Sequence, residues 1–263
     1  MDFDKALEDA LRKAGSIASS AGAKLEDLLR RAGSFSERYA HPARYDGGDV
    51  QALKGFIHNV CAARNMSANE STENIRKSIV SLHWGNGASN GLLITSNGYI
   101  LTAKHCVTKR NGGKYALWQG KDYSLKEKVC SIPAESDLAL IKADMPGPAS
   151  PRIYKIFPGG LPRMNTPVIM LSIMNYLYER SEGLVTVPSY KATFEDGSTS
   201  HDSVGMLMAG TRKGKSGSPI INSVTGELVG ICSGGIGITC AGAKSKRALE
   251  IVSVYAEYLR NRK

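Results

Sequence analysis

Residues 99–107, Tyr-Ile-Leu-Thr-Ala-Lys-His-Cys-Val, decide how the rest of this chain is read. An apolar run of strand length leads into Thr102 and Ala103 and then His105, so one imidazole stands just past a buried β-strand. Two other blocks are built the same way. In Ser136-Asp137-Leu138-Ala139-Leu140-Ile141 an acidic residue opens an apolar strand. In Gly214-Lys215-Ser216-Gly217-Ser218-Pro219-Ile220 a serine sits in a Gly-rich turn before another strand. Singly, each block is ordinary: an Asp at a strand edge is a turn or cap residue, and Gly-x-Ser-Gly is a tight bend. Together they supply a base, a group that orients it and a nucleophile.

Outward from these blocks the pattern stays β-like. From about residue 75, short apolar runs (SIVSLHW, GLLITS, ALWQG, LALIKAD, TPVIMLSI, GLVTVPSYKATF, VGMLMAG, SPIINS, ELVGICSG) alternate with Gly, Asn, Pro and Ser, which predicts a barrel or sandwich. The two ends differ. Residues 3–31 and 48–64 carry apolar residues at three- and four-residue spacing and predict helices, with a Ser/Gly/Pro-rich linker between them. Residues 67–72 are polar and read as a loop. Residues 246–260 place Leu249, Val252, Tyr255 and Leu259 on one face and predict a terminal helix.

Composition sets the outer limits. Of 263 residues, 42% are apolar and 22% charged, enough for a packed core. No apolar run reaches membrane-spanning length. The start, MDFDKALEDA, has neither a basic nor an apolar leader region, so a cytoplasmic protein is expected. Five cysteines at irregular spacing, with no Cys-x-x-Cys, predict free thiols and no metal site. Residues 1–70 balance their charges, so the whole +10 excess falls on residues 71–263.

The wording of the three blocks resembles the trypsin/chymotrypsin-fold serine endopeptidases over roughly residues 76–263. NGYILTA is nearest to HtrA/Deg enzymes, and Ser-Gly-Ser-Pro to glutamyl endopeptidases and some RNA-virus proteases. The resemblance implies a mainly β fold of two six-stranded antiparallel Greek-key barrels with the active site between them. It divides the chain into residues 1–70, a helical N-terminal extension with linker, and residues 71–263, the protease domain. It implies a catalytic triad of His105, Asp137 and Ser216, an acyl-enzyme intermediate, and an oxyanion hole from the backbone N–H groups of Gly214 and Ser216. It assigns substrate binding to Gly210, Thr211, Cys232, Ser233, Gly234 and Gly235. Neither a metal nor an organic cofactor is needed, and the expected partner is a protein or peptide substrate.

Departures from the pattern carry further expectations. Lys215 stands where the digestive enzymes have an Asp that pairs with a newly cut N-terminus, and a lysine cannot accept that pair. Ile79-Val80 lies too close to His105 for an activation site, so no trypsin-style zymogen cut is expected. Cys106 matches a family half-cystine whose partner is missing. No acidic residue lies in 210–213 or 232–235, which argues against a Lys/Arg preference. A small or apolar residue is expected at the scissile bond, with an acidic one as runner-up through Arg212, Lys213 and Lys215. Two other classes of function remain. The fold could be an inactive or regulated binding module, using Lys104–Lys128 with Tyr115, Trp118 and Tyr123 for nucleic acid or acidic partners. The N-terminal helices could dock a partner, self-associate or pack on the barrel.

Overall fold

The short apolar runs become strands because each carries one face of β-branched and aliphatic side chains, and such faces are stable only when covered. The computed structural model describes residues 47–85, 87–108, 114–131, 136–145, 154–156, 162–193 and 199–261. The fold is mainly β, two closed antiparallel six-stranded barrels with few helices. The helix expected over residues 3–31 lies outside the described residues.

The first barrel uses β1 (Ile79–Trp84), β2 (Gly87–Leu93), β3 (Tyr99–Thr102), β4 (Lys114–Trp118), β5 (Lys121–Ser131) and β6 (Ala139–Ala143), in the order β1-β2-β3-β6-β5-β4. Val80, Leu82, Trp84, Leu93, Ile100 and Ile141 fill its interior. Each contributes about 1.5–3 kcal/mol by leaving water. The second barrel uses β7 (Pro167–Met174), β8 (Leu177–Thr193), β9 (Thr199–Thr211), β10 (Pro219–Asn222) and β11 (Leu228–Lys244), in the order β10-β11-β9-β8-β7.

The sixth strand of the second barrel comes from β11 folding back on itself. Its first part pairs with β10 through Gly230 and Ile231, its last part with β9 from Thr239 to Ala243. Gly237 turns the chain between them at φ 63°, a left-handed conformation that glycine adopts at least cost. The two arms lie against each other: a Cβ on Gly230 would stand 2.5 Å from the Ala243 carbonyl oxygen. The sequence reading found only the first arm, because Gly-Ile-Gly-Ile-Thr lacks a turn signal distinct from its strands.

Among the described residues four α-helices flank the barrels: α1 (Gly47–Ala62), α2 (Ala68–Lys77), α3 (His105–Thr108) and α4 (Ser245–Asn261). The polar stretch 67–72, read as a loop, instead starts α2. Ser67 is its N-cap and accepts the Glu70 N–H at 3.2 Å. The helix buries Ser71 and Ile75 and leaves its other face to charged residues, so low hydrophobicity concealed a one-stripe amphipathic helix. α1 packs against α4. It is tied to the first barrel by Asp49, which pairs with Lys142 of β6 and accepts from the Asn97 side chain at 2.8 Å. None of the described helices is long and apolar enough to cross a membrane.

Leu53 of α1 is fully buried. Leu53→Ala is expected to lower the unfolding free energy by about 2–5 kcal/mol in urea denaturation. A change near zero would mean that α1 does not share the core of the barrels.

Candidate active site

His105 opens the short helix α3, directly after β3 has delivered the chain to the barrel rim. Asp137 lies just before β6, the strand paired with β3. The shared register brings the two residues together although 32 positions separate them. Asp137 makes two hydrogen bonds to the same residue. Its Oδ1 accepts the His105 backbone N–H at 2.9 Å and its Oδ2 accepts Nδ1–H at 2.7 Å. The carboxylate is 8% exposed, so the pair works at low local dielectric. Fixing the proton on Nδ1 leaves Nε2 as the acceptor nitrogen of the neutral ring. Cys106 Sγ lies 3.6 Å from Nε2.

Burial disfavours a charge on His105. The hydrogen bond to Asp137, with smaller contributions from Cys106 and from the Asp137 charge, outweighs it, and the imidazole pKa rises from 6.5 to about 10.

Ser216 lies in the turn between β9 and β10, and its hydroxyl donates to the Ser233 carbonyl at 3.5 Å, a long bond. The turn itself is fixed far more firmly. The backbone N–H of Asn90, in β2 of the first barrel, donates to the Ser216 carbonyl at 2.8 Å, and the Asn90 side chain donates to the Gly214 carbonyl at 2.8 Å. The Asn90 side-chain oxygen accepts the Ile173 N–H of β7 at 2.7 Å, and its backbone carbonyl accepts Thr102 Oγ1 at 2.7 Å. Asn90 is fully buried. One residue of the first barrel therefore holds the Ser216 turn, strand β7 and the strand that leads to His105.

Gly214 has φ 96°, and a Cβ there would stand 2.8 Å from Met174 Cε. The left-handed φ is what favours glycine here, since the Met174 methyl is the end of a flexible side chain that can move aside. Among the described residues, neither the Gly214 nor the Ser216 N–H donates to a backbone carbonyl. Two donors on one tight turn, with their carbonyl neighbours pinned by Asn90, are suited to stabilising a developing negative charge.

The remaining site candidates flank this turn. Cys232 and Ser233 are buried, Gly234 half-buried and Gly235 exposed. The Cys232 side chain faces the core of the second barrel, 3.7 Å from Cys240 Sγ, so only its backbone serves the turn, accepting the Gly217 N–H at 2.7 Å. The hydrogen bond to Cys240 and burial push the Cys232 thiol well above its ordinary pKa, which keeps it protonated. Thr211 closes against Gly235, where a Cβ would strike its methyl group. Lys215 is buried and Arg212 is paired with Glu179, so neither cation is a free charge for an acidic substrate. Among the described residues no group of His, Cys, Asp and Glu has the arrangement of a metal site.

Comparison with known proteins identifies the family and the fold. A family model described as a trypsin-like peptidase domain matches residues 89–231, more than half of the chain. The chain belongs to the trypsin-like peptidase domain family. Solved structures share the fold of this trypsin-like peptidase at low sequence identity. An inactive serine-to-alanine mutant of Rv3671c from Mycobacterium tuberculosis superposes with a TM-score of 0.56 at 14% identity, covering 75% of this chain and 93% of that one. A serine endoprotease from Yersinia pestis gives 0.54 at 18%, covering 73% and 67%. An inactive form of the Rv3671c protease gives 0.53 at 16%, covering 81% and 98%. No curated protein sequence matches the chain.

Within the trypsin-like peptidase domain, sequence reading missed Asn90, Thr102, Glu179 and Ser181. Asn90 sits in Ser-Asn-Gly, a turn-like triplet, and nothing in that triplet announces four hydrogen bonds across two barrels.

The His105–Asp137 pair sets a titration. In NMR, the His105 ring is expected to titrate above 6.5, towards about 10, and Asp137→Asn to bring the midpoint down by removing the charge and weakening the bond. The folded-state pKa is raised, so the pair's contribution to stability is complete below about pH 6.5 and is lost as the pH climbs through the raised value. An unchanged midpoint in Asp137→Asn would remove Asp137 as its cause.

Proposed function

We propose that this trypsin-like peptidase is a serine endopeptidase in which Ser216 is the nucleophile, His105 the general base and Asp137 the residue that orients it. The observation that carries the reading is the doubly hydrogen-bonded Asp137–His105 pair, which commits Nδ1 to the carboxylate and makes Nε2 the proton-accepting nitrogen of the neutral ring. A serine hydroxyl is a weak nucleophile at neutral pH and needs a base in reach as it attacks. In its unprotonated form, the minor one at neutral pH and a growing one as the pH rises towards the raised pKa, His105 takes the Ser216 proton as Oγ bonds to the scissile carbonyl carbon, and the imidazolium so formed is stabilised by Asp137. The Gly214 and Ser216 N–H groups receive the oxyanion. Collapse of the tetrahedral intermediate expels the amine, which takes the proton from His105 and leaves an acyl-enzyme. Water, deprotonated by His105, then attacks that ester and restores Ser216.

The substrate is a protein or peptide that lies as an added strand along Ser233–Gly235. The approach of Thr211 to Gly235 narrows the space beside that strand. This supports a small apolar residue at the scissile bond, and the engagement of Lys215 and Arg212 with Glu179 weakens the acidic alternative. Residues 71–263 form the peptidase domain on this reading.

Two measurements test it. A fluorophosphonate probe should label the wild type and not Ser216→Ala, with peptidase activity falling by about 10⁴-fold or more. Equal labelling of both would end the reading. A peptide-library digest should favour Ala, Ser or Val before the cut over Lys, Arg, Asp and Glu. Dominant cleavage after a charged residue would overturn the pocket assignment.

A further inference from the structure

Lys215, the residue before Ser216, is a charged side chain removed from water, with only 3% of it exposed. Its Nζ donates to Ser181 Oγ at 2.7 Å and pairs with Glu179 Oε2 at 3.2 Å. The second Glu179 oxygen holds Arg212, from the same loop as Lys215. Glu179 and Ser181 both lie on β8, whose partner β7 is itself fastened to Asn90. Gly210, at φ 72°, runs beside the ammonium: a Cβ there would be in ordinary contact with Nζ at 3.8 Å.

A buried ion pair is a poor device for adding stability, because desolvation offsets the Coulomb gain and an apolar replacement is often neutral or better. What it fixes is direction. A buried ammonium with three donors must meet its acceptors, and here they stand at one place on a strand of the barrel wall. The Lys215 Cα separates the peptide that carries the Ser216 N–H from the one whose carbonyl, on Gly214, is held by Asn90. With its side chain anchored below, neither peptide can rotate freely.

We propose that Lys215 is a positioning residue: its ammonium, anchored by Glu179 and Ser181, holds the Gly214–Ser216 turn in its donor-presenting shape, so the site is formed in the uncut chain. The inference rests on the endopeptidase reading. It gives the loop an internal acidic partner from β8 in place of the N-terminal partner that an Asp at this position uses in digestive enzymes.

The test compares wild type with Lys215→Met, which keeps the volume and removes the charge. On a peptide that the wild type cleaves, kcat should fall about 100-fold, the size expected for a disturbed oxyanion donor, with KM within about threefold. The fluorophosphonate labelling rate should fall in parallel, while the thermal midpoint holds within a few degrees. Wild-type rates in a folded Lys215→Met would overturn the proposal, as would a lost midpoint with unchanged rates below it. Should Lys215→Met not fold, Glu179→Gln and Ser181→Ala decide: slowed labelling in folded protein supports the role, and wild-type rates in both refute it. Failure of the wild type itself to label removes the endopeptidase reading and this inference with it, an outcome distinct from the others.

Discussion

The turn Gly214–Gly217 belongs to the second barrel by chain, yet it is also hydrogen-bonded to the first. Asn90 makes the connection with three of its polar groups, while its backbone carbonyl accepts from Thr102 of its own barrel, and the residue is fully buried. A buried amide that lost any of these partners would leave a donor or acceptor unsatisfied, at a cost of about 1–3 kcal/mol each. That penalty makes the mutual placement of the barrels nearly all-or-none at this point. Gly217 completes the fit, since a Cβ on it would collide with the Asn90 carbonyl and crowd Thr102 Oγ1. The site inherits its geometry from this junction.

Around the junction, charges are buried only with dedicated partners. Asp137 spends both oxygens on His105, and Lys215 spends its ammonium on Glu179 and Ser181. Both arrangements follow one rule: an ion away from water is tolerated when its hydrogen-bonding capacity is met locally. The outcomes differ. The Asp137 contact moves the proton affinity of a group with reactive potential. The Lys215 contact restrains the backbone. Beside the Ser216 turn, Lys215 and Arg212 are both engaged by Glu179 of β8.

Much of the fold was legible in sequence because its signals are local. Short apolar runs gave β1, β3, β6, β7 and β10 nearly to their ends, and the helical periodicity of 48–64 and 246–260 matches α1 and α4. Where the reading failed, the local signal pointed elsewhere. The Ser67 cap and a thin apolar stripe made α2 look like a loop. Asn90 was read as a break before GLLITS, although β2 starts at Gly87. The basic stretch up to Lys128 has the hairpin form of an exposed lysine-rich ribbon, β4 paired with β5, but the further ladder of β5 with β6 has no apolar signal in the sequence.

The sequence by itself determined that a histidine, an aspartate and a serine each stand beside an apolar strand in a chain of trypsin-like wording. Those are properties of neighbouring residues, and neighbours along a chain are always in contact. Which distant groups satisfy which buried charges was decided only in three dimensions. The register between β3 and β6 joins Asp137 to His105. The closure of the second barrel brings Glu179 and Ser181 under Lys215, and the packing of one barrel on the other places Asn90 against the Ser216 turn. Long-range pairing of polar groups depends on strand register and barrel closure, and these are set by the burial of the whole apolar surface and by no single motif.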